Sequence, residues 1–389
     1  MREGWEIKRL GELSKHKDAV VSGPFGSNLK VSDYKDKGVP ILRLQNIGKG
    51  NFIDKSIKYI TKEKAEELKY HSFISGDIAL AKLGIPIGKT CIIPDHFKSG
   101  IITADIVRIR PDSKIANCKF LEYFLNTDLS VTQLTNNISG ATRPRVNLSD
   151  VRDINIPLPP LIEQERIVAI LDEAFDALAK AKTNAEQNLK NAKELFESYL
   201  HRVFENKGDG WEEKRFEEIC VLQRGFDLPT HSRNEGSHPL VSSNGITDRI
   251  DLWKVKAPGV VTGRSGTIGN VHFIEEDYWP LNTALYIKEF HGNYERFIYF
   301  FLKQFDLEKY SSGAGVPTLN RNNVHSELVW FPKSNKEQQN IVVKLDALSV
   351  ETKKLEAIYQ KKLEDLEELK KSILQKAFSG ELTEKEILV

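Results

Sequence analysis

One run of about 45 residues constrains this chain more than any other feature. From about Pro160 to about Glu205, apolar residues recur at Ile167, Leu171, Ala174, Leu178, Ala181, Ala185, Leu189, Ala192, Phe196, Tyr199 and Val203. The steps alternate between four and three, with one extra four at Leu189, which is the seam of a helix lying along a partner helix. The partner is in the same chain. Shifted by 174 positions, Glu163-Gln164 falls on Glu337-Gln338, Leu171-Asp172 on Leu345-Asp346, Leu189 on Leu363, Leu195 on Leu369, Ser198 on Ser372, Leu200 on Leu374 and Phe204 on Phe378. Two helices of equal length with matching seams predict an intramolecular coiled coil. At about 1.5 Å per residue, each spans roughly 65–70 Å.

Two further repeats flank the helices. Gly4-Trp5-Glu6-Ile7-Lys8-Arg9-Leu10 reappears as Gly210-Trp211-Glu212-Glu213-Lys214-Arg215-Phe216, and the stretch 139–148 reappears as 312–321. Repeated ends around dissimilar middles indicate a duplicated module. The middles read as mixed α/β. Strands are expected at Val39–Leu44, Asp77–Leu80, Cys91–Ile93 and Ile102–Ile109, followed by a helix over Cys118–Leu134. The second copy keeps this order at Pro239–Val241, Gly259–Val261, Val271–Ile274 and Leu285–Ile287, then a helix over Glu295–Phe305. The expected organisation is a first domain over 1–157, a long helix over 158–207, a second domain over 208–332, a long helix over 333–380 and a tail over 381–389.

Charge separates the two modules although the whole chain carries only +1. Residues 1–157 hold 25 Lys and Arg against 18 Asp and Glu; residues 208–332 hold 13 against 17. A polyanion could bind the first module through bulk charge, whereas the second would need its cations clustered. No apolar run approaches a membrane span of about 20 residues. The start, Met1-Arg2-Glu3-Gly4-Trp5, does not read as a secretory signal. Cys91, Cys118 and Cys220 stand apart, without metal-ligand spacing, and suggest a cytoplasmic protein with buried thiols.

Taken together, the paired Trp openings, Gly23-Pro24-Phe25-Gly26-Ser27, Leu42-Arg43-Leu44-Gln45-Asn46-Ile47, Gly266-Thr267-Ile268-Gly269-Asn270-Val271 with its counterpart Ile87-Gly88-Lys89, and above all Ile156-Pro157-Leu158-Pro159-Pro160-Leu161-Ile162-Glu163-Gln164 resemble the specificity subunit of a type I restriction–modification system. The resemblance covers nearly the whole chain. Trp330-Phe331-Pro332-Lys333 departs from it by replacing the second Pro-Leu-Pro-Pro run.

The resemblance implies an α+β fold: two mixed α/β target-recognition domains separated by two long helices packed as an antiparallel coiled coil, with pseudo-twofold repetition. It further implies a DNA-binding subunit, non-catalytic by itself, in which each half reads one part of a split double-stranded DNA sequence and the coiled coil fixes the gap. Two modification subunits would methylate adenine with S-adenosylmethionine. Two restriction subunits, where present, would cut DNA using ATP and Mg. No cofactor or metal is expected on this subunit. The alternative is a two-domain coiled-coil scaffold that binds protein and reads no DNA.

The residues agree with an absence of catalysis. There is no Asn/Asp-Pro-Pro-aromatic loop, no Gly-x-Gly-x-x-Gly after a strand and no His-Glu-x-x-His. Gly84-Ile85-Pro86-Ile87-Gly88-Lys89-Thr90 is one residue short of a phosphate loop and runs into a strand rather than a helix. It is better read as a tight hairpin that approaches a DNA backbone closely.

Arg or Lys reads guanine, Asn or Gln reads adenine, and Lys, Arg and backbone N–H groups hold phosphates. On that chemistry the DNA-contact candidates of the first module are Lys30, Arg43, Gln45, Asn46, Lys82, Lys89, Thr142, Arg143 and Arg145. Those of the second are Arg224, Ser242, Asn244, Arg264, Thr318, Asn320 and Arg321. Each has a plainer reading: Gln45-Asn46 or Asn244-Gly245 as turn formers, Arg143 and Arg145 as ties to the long helix. Phe175, Leu195, Leu200, Phe204, Leu374 and Phe378 lie off the helical seam and suit either partner docking or packing onto the neighbouring domain.

Overall fold

The computed structural model describes residues 3–16, 18–136, 145–313 and 317–383. The two helices form as the seam requires, over Leu161–Glu205 and Asn335–Ser379, each 45 residues long. Every seam position of the first helix is buried or half-buried. The chain divides into two units, residues 1–183 with 363–389 and residues 184–362, so that each unit holds one domain and part of both helices.

In the first unit, Ile167 and Leu171 near the start of the first helix share a core with Ala377 and Phe378 near the end of the second. Lys182, further along the first helix, bonds Glu367 at 2.7 Å. The segments therefore run antiparallel. In the second unit the Trp211 indole N–H, just past the end of the first helix, donates to Glu337 in the first turn of the second at 2.9 Å. This pair is antiparallel too.

Each domain carries a four-stranded antiparallel sheet of the same order. In the first unit it runs Val20–Ser22, Ile106–Ile109, Ile78–Ala81, Thr90–Ile92; in the second, Val221–Arg224, Ala284–Glu289, Gly259–Gly263, Val271–Ile274. Ile78–Ala81 and Gly259–Gly263 are buried throughout, as continuous apolar runs between paired neighbours should be. A second sheet differs between the units. The first has four strands, with Val39–Leu42 parallel to Ser99–Ile102; the second has three, with Glu235–Ser242 parallel to Trp279–Pro280. An antiparallel pair closes each domain at the root of a long helix: Glu6–Arg9 with Asn155–Leu158, and Trp211–Arg215 with Leu328–Pro332.

Two sequence expectations need correction. The strand expected over Ile102–Ile109 is two strands in different sheets, Ser99–Ile102 and Ile106–Ile109. The chain turns between them because the Thr103 N–H and hydroxyl both bond the Leu42 carbonyl, at 3.0 and 2.9 Å. The helix expected over Cys118–Leu134 is likewise two, Cys118–Leu125 and Asp128–Thr135. The Thr127 hydroxyl caps the second by accepting from the Ser130 N–H at 3.3 Å, while the Asn126 amide turns to Thr90.

The off-seam apolar residues resolve in favour of domain packing at five of six positions, with Phe175 and Leu374 half-buried against the first domain's core. Leu200, Phe204 and Phe378 are buried. Phe378 sits 5.2 Å from both Phe120 and Phe124, and Phe204 sits 5.4 and 5.8 Å from Phe297 and Phe301. Phe204 and Phe378 are 174 positions apart, so each unit anchors a helix to its domain through the same side chain. Leu195 stays half exposed.

Candidate nucleic-acid interface

One hydrogen-bond frame recurs at the corresponding edge of both domains. In the first, the Lys82 N–H donates to the Asp105 carbonyl and the Lys82 carbonyl accepts from the Val146 N–H, at 2.8 and 3.0 Å. In the second, Arg264 does the same with Thr283 and Leu319, at 2.9 and 2.8 Å. The next residue forms an antiparallel bridge in each case, Leu83 with Arg145 and Ser265 with Thr318. Lys82 and Arg264 are therefore equivalent positions, each on the first limb of a glycine hairpin between paired strands. The chain places a long cation at both.

Around Arg264 a cleft of about 330 Å³ is lined by Arg224, Thr318, Asn320 and Arg321, with Ser312 and Asn322. Five of the seven residues singled out from sequence in this module thus meet in one place. Arg264 donates to the Asn282 carbonyl at 3.3 Å, leaving most of its guanidinium donors for other partners. Arg224 is held by Asp227, and Arg321 reaches the Gln223 side chain at 3.1 Å. The other two candidates adjoin through the hairpin, where the Thr267 hydroxyl bonds the Asn244 side-chain oxygen at 2.7 Å. A net-acidic module thus brings Arg224, Arg264 and Arg321 together around one cleft.

A cleft of the first domain at a different place, about 360 Å³, is lined by Pro24, Gly26, Tyr34, Arg43, Gln45 and Asp105, among others. Asp105 takes an ion pair from Arg145. The Lys82 ammonium lies 2.5 Å from the Ser22 hydroxyl and is largely buried. Burial, and after it the Arg145 charge, hold Lys82 below the ordinary lysine range. Gln45 is exposed and Lys89 half-buried on the second limb of the hairpin. The Lys30 N–H bonds Asp33 at 2.7 Å while the residue itself remains exposed.

The structure gives several of the candidates partners of their own. Asn46 is fully buried, and its amide is spent on the Arg43 N–H and the carbonyls of Ile53 and Lys55, each at 3.0 Å. It shapes the turn that presents Gln45 and cannot reach a base. Asn320 caps the helix Arg321–His325 by accepting from the Asn322 N–H at 3.1 Å. The Ser242 hydroxyl accepts from the Asn244 N–H at 3.1 Å, a turn role. Arg43 is pinned by the Ser56 carbonyl, 2.5 Å away, and leans on Tyr34. Arg145 pairs across the cleft edge instead of tying the domain to the long helix. Thr142 and Arg143 lie outside the described residues. Ser22, Asp105, Gln223 and Thr267 escaped the sequence reading because no repeated motif marks them. Only the frame around Lys82 and Arg264 brings them in.

Among the described residues no group of three or more His, Cys, Asp or Glu could hold a metal, and no helix is long and apolar enough to cross a membrane.

Known proteins carry the same pattern. The family model for the type I restriction modification DNA specificity domain matches residues 2–190 and again 208–367. The MjaVIII specificity subunit of Methanocaldococcus jannaschii is 26% identical over 201 residues, 51% of this chain and 45% of that protein. The chain therefore spans less than half of that relative's length. The putative MjaX specificity subunit of the same organism is 23% identical over 429 residues, covering 98% of this chain and 94% of that one. A chain from a solved structure concerned with complex assembly and conformational transition of the type I R-M system shares the fold. Its TM-score is 0.81 at 21% identity, over 98% of this chain and 99% of that chain. With that module matched twice, over most of its length, this chain belongs to the family of type I restriction modification DNA specificity domains.

Proposed function

We propose that this chain is the sequence-reading subunit of a type I restriction–modification complex, with each domain reading one half of a bipartite DNA target. The observation that carries the reading is the repeated frame, which sets a long cation, Lys82 or Arg264, at the same edge of each domain. Cations at corresponding edges of a duplicated module suit two contacts to a polyanion of repeating geometry. Residues 1–157 and 208–332 are the two readers, and the helices between them set the gap.

The chain performs no chemistry in this reading. Two modification subunits bring S-adenosylmethionine and methylate adenine; two restriction subunits, where they exist, bring ATP and Mg. The complex works in the cytoplasm. A coiled-coil scaffold that binds proteins through both domains is the competing reading, and the gathering of Arg224, Arg264 and Arg321 in an otherwise acidic module favours DNA over it.

A gel-shift selection from random duplexes, with the modification subunit present, separates the two. The DNA reading predicts enrichment of two short motifs at one spacing. Binding that is indifferent to spacing and sequence would contradict it.

A further inference from the structure

The edge of the first domain carries two large apolar side chains in water. Phe25 is 84% exposed and Ile85 is 82% exposed. Both stand on short loops whose roots are fixed. Gly23 lets the first loop pass against the Thr103 carbonyl, which a Cβ at Gly23 would strike at 2.0 Å. The Phe25 carbonyl then accepts from the Asn28 N–H at 2.8 Å. Ile85 lies in the hairpin between Ile78–Ala81 and Thr90–Ile92, whose far limb is fixed by buried Ile87. The two loops are joined by the bond between Ser22 and Lys82, and each exposed residue lies three positions beyond one of those partners.

The second domain treats the same positions differently. Gly225 passes against the Leu281 carbonyl as Gly23 passes against Thr103, so Asp227 stands where Phe25 does. The hairpin after Arg264 is one residue shorter than the one after Lys82, and Thr267 lies in it three residues beyond Arg264. Asp227 is paired with Arg224, and Thr267 bonds Ser243 and Asn244. Where the first reader exposes apolar residues, the second carries polar residues that are satisfied internally.

We propose that Phe25 and Ile85 are apolar prongs that press against, and partly unstack, a base step in the half-site read by the first domain. This rests on the DNA reading given above. Exposed apolar side chains beside groups that hold phosphates are how proteins pry a base step, because a base offers a π-face and a duplex step opens at modest cost. Here Lys82 and Arg145 stand at the roots of the prongs, and Gln45 shares the adjoining cleft with Pro24 and Gly26 of the Phe25 loop. The second reader carries no such prongs at Asp227 and Thr267.

The test uses the full chain with its modification subunit and random 40-base-pair duplexes, followed by the selected sequence carrying 2-aminopurine at each step of the first half-site. Wild type should brighten 2-aminopurine at one step. Phe25→Ala should abolish that signal and bind about tenfold more weakly, while its melting temperature and second half-site stay unchanged. Phe25→Trp should keep the signal, and Ile85→Ala should reduce it. If Phe25→Ala selects the same motif with the same affinity and fluorescence as wild type, the prongs are refuted and the DNA reading survives. If wild type selects no sequence at all, both fall.

Discussion

Gln164 and Gln338, 174 positions apart, make the same buried three-bond clamp. The Gln164 side-chain oxygen accepts from the Asn117 N–H at 2.8 Å, and its amide donates to the carbonyls of Ile115 and Pro159 at 3.0 and 2.9 Å. Gln338 accepts from the Tyr294 N–H at 2.8 Å and donates to the Asn293 side chain and the Pro332 carbonyl at 2.8 and 3.3 Å. Each residue sits in the first turn of a long helix and holds the helix that its own domain packs against it. Neither is exposed to any useful extent. Gln338→Leu should leave a buried N–H and carbonyl unpaired and cost about 1–3 kcal/mol, with Gln164→Leu costing the same. Thermal unfolding of both variants checks this; a melting temperature equal to wild type would show that water replaces the clamp.

Much of this was legible in the chain. The Glu-Gln pairs, the seam from Ile167 to Val203 and the Trp5 and Trp211 openings fixed the duplicated module and its helices, because periodicity and repetition are properties of sequence alone. Local chemistry was harder to read. Asn46 and Gln45 are adjacent and alike in composition, yet a 3-10 turn buries one and exposes the other. Asp105 enters the cleft only because the strand around it breaks. Lys82 and Arg264 become equivalent through backbone bonds that no motif encodes.

Lys82 combines burial with charge. Its folded value lies below that of an ordinary lysine, so folding favours the neutral amine. The contribution to stability is absent at neutral pH and grows as pH rises from the depressed value towards the unfolded value of 10.5. Lys82→Met should therefore melt no lower than wild type at pH 7, lose that alkaline gain, and bind DNA more weakly. Melting curves from pH 7 to 10.5 alongside binding assays would reveal the trade-off; a lower melting temperature at pH 7 would contradict it.

Arg264→Ala should weaken binding by about 1–3 kcal/mol if the guanidinium reads a guanine, and should relax the selected motif at one position of the second half-site. A uniform loss across all sequences would instead assign Arg264 to phosphate.

The helix positions equivalent by the 174-residue shift exchange bulk across the coiled coil. In the first unit Lys370 covers the Phe175 ring at 5.0 Å. In the second, Phe196 stands at the Lys370 position and Ser349 at the Phe175 position, beside a groove of about 590 Å³. Phe196→Lys alone should cost about 3 kcal/mol or more. Adding Ser349→Phe should recover part of it, because both residues line the same groove and neighbouring sites couple. Strict additivity in a double-mutant cycle would show that the two positions do not compensate.

The thiols should be slow to react in the folded protein. Burial pushes Cys91 up to about 12 and Cys118 up to about 11, and raises fully buried Cys220 as well. Alkylation at pH 8 should leave buried Cys91 and Cys220 unmodified until denaturant is added and reach half-buried Cys118 slowly; rapid native labelling of Cys91 or Cys220 would contradict this.

The central claim is that paired helices hold two readers at a set separation along DNA. Its most direct test is mapping of adenine methylation by single-molecule sequencing, in hosts carrying wild type or a variant with one heptad removed from residues 176–190 and the matching heptad removed from the second helix. The account predicts the same two half-sites with an altered gap. An unchanged motif with an unchanged gap would contradict it.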